Sequence, residues 1–396
     1  MNSNIFLPAV QKFLSDYLKE DVHKVALSKS PFPGVSSQEL AEQLDAKQRS
    51  EKKLPLWFNS SGIIFPPKIS IEQSSSELTA EYKSRLVKGE KLIDLTGGFG
   101  VDAYYFSRKA KAVTHFERNE KLSQIAQHNA KVLGAENISF IQGDSIEYLK
   151  TSKDHFDTIY VDPSRRIQSE KVFLLHDTEP DVVSNLPLLL SKASRIIIKT
   201  SPLFDIRSGL KELSNVSAVH VVSVKNDCKE LLWIVDKGYS GEASIICAAL
   251  RKEKEAVFSF SLSAEKSLNI DSYAAPLAYL YEPDVTLLKA GCFKTIAHHY
   301  QVEKLDPSTH LYTSDNSNTE FIGKVFTVES VSEYKSFIKT NKIQKANVIS
   351  RNFPLSPDEI KKKHKIADGG DDYLIFTRVF PDLLMVIHGC VNLSSD

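Results

Sequence analysis

The residues best equipped for chemistry in this chain are acids and glycines that recur at the ends of β-rich runs. Leu92-Ile-Asp-Leu-Thr-Gly-Gly-Phe-Gly-Val-Asp102 reads as a strand, a glycine turn and the start of a helix. Glycine suits such a turn because a ligand approaches the backbone closely and φ can be positive. The third glycine of the dinucleotide fingerprint is missing, and Asp102 stands near its place. An acid at a helix N-terminus repels the pyrophosphate that free amides would otherwise cradle. S-adenosylmethionine carries no phosphate, and its cationic sulfonium and amino-acid end are compatible with acids. The turn therefore points to that cofactor, with Asp94, Thr96, Gly97, Gly98, Gly100 and Asp102 as candidate binding residues.

Two later segments repeat the arrangement. Val113-Thr-His-Phe-Glu117 ends in an acid where ribose hydroxyls of a nucleoside would lie, and Arg118 follows it. A carboxylate accepting two hydroxyl protons makes charge-assisted bonds of roughly 1.5–3 kcal/mol each. Phe140-Ile-Gln-Gly-Asp-Ser145 places Asp144 and Ser145 after a third run, where the acid can accept from an adenine amino group. Taken singly each piece is ordinary: a βα turn, a solvated strand end, a helix N-cap. Their order at three successive strand ends carries the reading.

The candidate catalytic loop is Asp162-Pro163-Ser164-Arg165-Arg166, after the run Phe156–Val161. Open α/β sheets bind ligands at the carboxyl ends of their strands, and proline holds the preceding acid extended. The lone pair of an exocyclic amine on a nucleobase is delocalised into the ring. An acceptor for its N–H favours pyramidalisation and aims the lone pair at a methyl donor. Asp162 is the expected acceptor, fixed by Pro163. Arg165 is the expected substrate contact, since a guanidinium stacks on bases or binds phosphate. The bland reading of Arg165 and Arg166 is a solvated loop paired with nearby acids.

Alternating β and α segments position these groups. Expected strands are 91–95, 112–117, 138–142, 158–161, 195–199, 219–224 and 231–235, with helices around 103–108, 120–133 and 187–193. Such alternation implies a mostly parallel sheet covered on both faces. The last two strands are too close in sequence for a crossover and should be antiparallel. Residues 4 to about 50 read as helical. Beyond residue 241 the pattern becomes a hairpin (244–250 with 256–262), a helix over 283–300, then strand 324–328, helix 331–340, strand 347–350, helix 357–365 and a closing hairpin, 373–378 with 383–388. The expected divisions are 1–83, 84–238 and 239–396, the last split into a connector to 281 and an α+β unit from 282.

Bulk properties exclude some classes. Fifty basic residues balance fifty acidic ones, so the chain is no dedicated nucleic-acid coat, although a local basic groove stays open. Lys342, Lys345 and Lys361-Lys-Lys-His-Lys365 offer such a cluster, or merely a solvated helix face. Cys228, Cys247, Cys292 and Cys390 are scattered without zinc-like spacing, so neither disulfides nor a metal is expected. The amino terminus lacks a signal-peptide pattern and no run is long enough to cross a bilayer, which predicts a cytoplasmic protein without a membrane partner. Trp57, Phe58 and Phe65 are candidates for stacking on a flipped base, against buried packing for at least two of them.

From about Leu54 onward the chain resembles bacterial class I S-adenosylmethionine-dependent methyltransferases that carry a THUMP-like C-terminal domain. The resemblance rests on Ile71–Lys83, Asp94–Asp102, Val161–Arg166, Tyr281-Glu-Pro-Asp284 and Arg351–Pro357. The methyltransferase half is also similar to ribosomal-RNA guanine-N2 and cap-guanosine methyltransferases. That likeness implies a Rossmann-like sheet of six parallel strands and one antiparallel strand, RNA (ribosomal or transfer) as substrate, and transfer to an amino nitrogen. The family loop carries two prolines and an aromatic; Ser164 and Arg165 stand in their place here. Two other classes remain open: a non-catalytic RNA-binding assembly factor that retains the fold, and a methyltransferase acting on a small molecule or a protein.

Overall fold

Helix starts in this chain are written in short polar signals. Ser36 and Glu39 bond reciprocally in a capping box that opens the helix Ser37–Lys53. Asn119 and Asp144 cap Glu120–Val132 and Ser145–Thr151 in the same spirit. Asp181 caps Val182–Lys192, so this helix begins before Pro187, the residue at which the sequence suggests a start. Two amide bonds to Asp181 secure the first turn, and the missing proline N–H costs one bond further in.

The computed structural model describes residues 2–165, 174–251, 255–270 and 272–391, and nothing is said of the others. It divides into one unit of residues 1–218 with 231–241 and a second of residues 219–230 with 242–396. Among the described residues no helix is long and apolar enough to cross a membrane.

In the first unit the strands are β1 (Lys91–Asp94), β2 (Ala112–Glu117), β3 (Ile138–Gln142) and β4 (Phe156–Val161). A short ribbon, β5 (Ser164–Arg165) with β6 (Thr178–Glu179), follows β4. Then come β7 (Ala193–Thr200), β8 (Val216–Val224) and β9 (Asp227–Asp236), of which residues 219–230 belong to the second unit. Over these strands the order runs β8-β9-β7-β4-β1-β2-β3. The pairs β1–β2, β1–β4, β2–β3 and β4–β7 are parallel, and β9 lies antiparallel to β7 with Ile196 opposite Val235. The two residues joining β8 to β9, Lys225 and Asn226, both have positive φ, as a tight hairpin turn of this hand requires. The open sheet with its antiparallel strand is the one expected of the methyltransferase class.

The amino-terminal helices have a small core of their own around Val10, Leu14, Leu40 and Leu44. Trp57 and Phe65 are buried with Phe99 and Tyr105, so neither is available to stack on a base; Phe58 is half-buried.

The second unit contains the hairpin β10 (Ser244–Leu250) and β11 (Glu255–Ser261). Its seven-stranded sheet comprises β12 (Tyr279–Pro283), β13 (Glu303–Asp306), β14 (Thr309–Ser314), β15 (Gly323–Glu333), β16 (Asn347–Arg351), β17 (Asp372–Val379) and β18 (Leu383–Val391). Their order is β13-β14-β12-β15-β18-β17-β16. Three corrections to the sequence reading arise here. The single helix expected over 283–300 is a strand ending at Pro283, then two helices, Val285–Ala290 and Phe293–Tyr300, parted by Gly291 at φ 74°. Strand β15 runs on to Glu333, so the helix expected from 331 starts at Tyr334. Strands β13 and β14, absent from that reading, pair across a two-residue turn. The basic segment 361–365 is largely engaged: Lys361 pairs with Asp358 and Asp368, and Lys363 lies over the Tyr334 ring.

Candidate active site

The parallel strands β1, β2, β3 and β4 end side by side, and their first following residues meet. Leu95 donates its amide to the Tyr160 carbonyl, and Gly97 donates to Phe116, so the glycine turn is pinned to both neighbouring strands. Gly98 and Gly100 sit at φ 55° and 82°, a region that side chains disfavour. Gly97 is required for a different reason. A Cβ there would lie 2.2 Å from Nε2 of His115, whose buried ring supports the turn from below. Burial lowers the His115 pKa to about 4, which leaves the imidazole neutral near neutrality. Sequence reading missed this histidine because it lies inside a strand pattern with no partner nearby in sequence.

Asp94 is buried, and its Oδ1 accepts from the Thr96 amide at 3.0 Å. Among the described residues its Oδ2 has no hydrogen-bond partner. Burial drives its pKa well above the carboxylate range, and Asp102, Asp162 and Glu117 push in the same direction against the Thr96 bond. Glu117 uses both oxygens, Oε2 for the Gly98 amide at 2.9 Å and Oε1 for the Asn119 amide at 2.7 Å. Thus strand β2 ends in an acceptor laid against the glycine turn.

Asp102 points away from the turn into a buried network. The Lys83 ammonium, with a fully buried side chain, lies 3.1 Å from Asp102 Oδ1. Ser75 and Tyr160 both donate to Oδ2, at 2.8 and 3.1 Å, and Lys83 donates to Ser75 at 2.6 Å. The segment Ile71–Lys83 therefore meets the turn through an ion pair. Asp144 caps its own helix by accepting from Ile146 and Glu147, and Arg118 bridges it to Glu179 at 2.6 and 3.1 Å. Burial opposes ionisation of Asp144, but the bonds from Glu147 and Arg118 outweigh it and lower the pKa. Ser145 turns inward and donates to the Leu95 carbonyl at 2.9 Å.

Asp162 stands at the end of β4. Its amide donates to Thr96 Oγ1 at 2.7 Å, which ties the loop to the glycine turn. Its Oδ2 receives a hydrogen bond from Lys199, which the sequence did not single out. Lys199 lies near the end of β7, beside β4 in the sheet, and its side chain is largely buried. Pro163 follows, and Ser164 donates to the Glu179 carbonyl at 3.3 Å. The Arg165 backbone pairs with Thr178, while the Arg165 side chain and Arg166 lie outside the described residues.

Around the turn, then, four carboxyl groups (Asp94, Asp102, Glu117, Asp162) face two ammonium groups (Lys83, Lys199). Even with Asp94 protonated the acids outnumber the cations. The partnerless Asp94 oxygen and this negative excess fit a ligand that brings positive charge and hydrogen-bond donors. A sulfonium nucleoside with an α-ammonium does so.

Three family models match parts of the chain: a conserved hypothetical protein 95 model over residues 70–179, a ferredoxin-like domain over 279–321 and a THUMP domain-like model over 323–388. A solved candidate methyltransferase from Porphyromonas gingivalis W83 is 32% identical and covers 99% of both chains with a TM-score of 0.90. An RNA methyltransferase of Mycoplasma mobile, itself uncharacterised, is 28% identical over 40% of this chain and 48% of its own. The tRNA (uracil(54)-C(5))-methyltransferase of Pyrococcus furiosus is 30% identical over 25% of this chain and 23% of its own. The chain thus spans half or less of the length of these two curated relatives.

Proposed function

Because the chain belongs to the methyltransferase family of the Porphyromonas gingivalis protein, we propose that it transfers a methyl group from S-adenosylmethionine to an exocyclic amine of an RNA base, ribosomal or transfer. The observation that carries the reading is the set of strand-end acids: Glu117 on the glycine turn and Asp162 tied to that turn through Thr96. When bound, the cofactor supplies an electrophilic methyl on a cationic sulfur. Glu117 would hold the ribose hydroxyls, with its two oxygens exchanging amide partners for hydroxyl donors. Asp94 and the turn amides would meet the amino-acid end, and Asp144 the adenine edge.

The work of Asp162 is acceptance of the substrate N–H. Lys199 already holds Oδ2, so the carboxylate presents its other oxygen in a fixed orientation. Orientation of this kind is worth several kcal/mol when the reacting atoms reach contact distance. Transfer to uracil carbon 5, the reaction named for the Pyrococcus relative, calls for covalent activation of the ring, commonly by a thiolate. Residues 1–218 contain no cysteine, and burial pushes the Cys228 thiol, at the start of β9, up to about 11, which favours the amine. RNA as partner draws on the RNA-acting relatives and the THUMP domain-like match; a cytoplasmic setting completes the reading.

The test is transfer of labelled methyl from S-adenosylmethionine into extracts of cells lacking the gene, with RNA, protein and small-molecule fractions counted separately. Label in RNA that nuclease mapping assigns to an amino nitrogen supports the proposal. Label confined to protein or small molecules removes RNA as substrate.

A further inference from the structure

Three adjacent strands of the carboxy-terminal sheet, β15, β18 and β17, gather side chains that are far apart in sequence. Cys390 of β18 lies opposite Asp372 of β17, and His388, two residues earlier on the same face, lies beside them. The register of β15 slips between Val328 and Ser330, so Glu329 and Ser330 share the space opposite His388. A bulge of this kind re-aims a side chain. Asp372 Oδ1 is 2.8 Å from His388 Nε2, and Glu329 Oε2 is 3.3 Å from His388 Nδ1. One donor atom from each of Glu329, Asp372 and His388 lies within 4.8 Å of the others. The Cys390 thiol donates to the second Glu329 oxygen at 2.9 Å. Among the described residues the only basic group paired with either carboxylate is this one imidazole.

We propose that Glu329, Asp372 and His388 form a binding site for a divalent transition metal of the zinc class. Two carboxylates sharing one imidazole leave negative charge that no lysine or arginine among the described residues pairs with, and a dication balances it. Tetrahedral ligands at about 2.0–2.1 Å from zinc lie about 3.4 Å apart; Asp372 Oδ1 already stands 2.8 Å from Nε2, and the three donor atoms, within 4.8 Å of one another, must draw together around the metal. The imidazole gives the metal one nitrogen. The carboxylate now on the other nitrogen turns to the metal, a movement within the span of the cluster. Imidazole in the set favours zinc over magnesium, which prefers oxygen ligands alone. Three protein ligands leave a position open for water. The Cys390 hydrogen bond orients Glu329 from behind, as outer partners of metal ligands do. The site is independent of the methyl-transfer reading.

The experiment uses the full chain, freed of metal with a chelator and titrated calorimetrically with zinc and, separately, magnesium. Expected are one equivalent of zinc bound, a raised melting temperature, and no comparable heat from magnesium. His388→Gln and Asp372→Asn should each weaken zinc binding at least tenfold, while His155→Gln, at an exposed histidine of the other unit, leaves it unchanged. Circular dichroism checks that the variants are folded, and Glu329→Gln replaces any that is not. No stoichiometric zinc binding by the parent chain, or equal binding by folded cluster variants, would overturn the proposal.

Discussion

Replacing Glu117 with alanine removes the acceptor at the end of β2 and isolates one contribution to cofactor binding. Its oxygens accept from the Gly98 and Asn119 amides at 2.9 and 2.7 Å. A ribose diol would give the carboxylate two hydroxyl donors in place of amides that water can satisfy, and taking the loss on substitution as that of one charge-assisted bond gives roughly 1.5–3 kcal/mol. The dissociation constant for S-adenosylmethionine should therefore rise roughly 10- to 150-fold. Stability should change much less, because Glu117 is only partly buried and the freed amides can reach water. Titration calorimetry on the parent and variant, with thermal melting alongside, reads both quantities. An unchanged dissociation constant in a folded variant would refute the placement of the ribose. A loss of folding instead would show that Glu117 acts through the turn.

Lys199→Met should lower kcat and leave KM for the substrate nearly unchanged, since Asp162 stays in place but its carboxylate loses its partner; Lys199→Arg should recover part of the rate. Lys83→Met leaves Asp102 buried with its two hydroxyl donors alone, and breaking a buried pair in this way costs roughly 3–5 kcal/mol, read as a lower denaturation midpoint. His115 gives a pH signature. Its folded pKa, about 4, lies below the unfolded value of 6.5, so the unfolded state binds the extra proton between those limits. That contribution is fully present above pH 6.5 and fades as the pH falls towards 4, by about 3 kcal/mol in all. The acid-dependent loss of stability should be shallower in His115→Asn, measured by denaturant unfolding across that range.

Much of the sheet was legible because β1 to β4 each end in a residue type with a job there, and helix caps follow the strands closely. The same reading missed β13 and β14, whose short segments Glu303–Asp306 and Thr309–Ser314 carry mixed polar and apolar residues without clean alternation. It also merged two helices across Gly291, whose positive φ ends the first. At the site, acids were visible as types but their partners were not. Asp102 looked like part of the turn surface, yet Lys83 draws it inward from a segment some twenty residues earlier. Lys199 and His115 sit within strands, where their neighbours are set by sheet order and not by sequence spacing. The Glu329–Asp372–His388 cluster shows the same limit, because strand pairing joins residues that no motif spacing connects.

The measurement closest to the central claim compares the parent chain with Asp162→Ala for S-adenosylmethionine binding and for transfer of labelled methyl to RNA in parallel. The expected result is near-parental binding with transfer reduced by at least two orders of magnitude, since on the proposed reading Asp162 would contact the substrate and not the cofactor. Parental transfer by the Asp162→Ala chain would contradict the assignment of this loop as the catalytic centre.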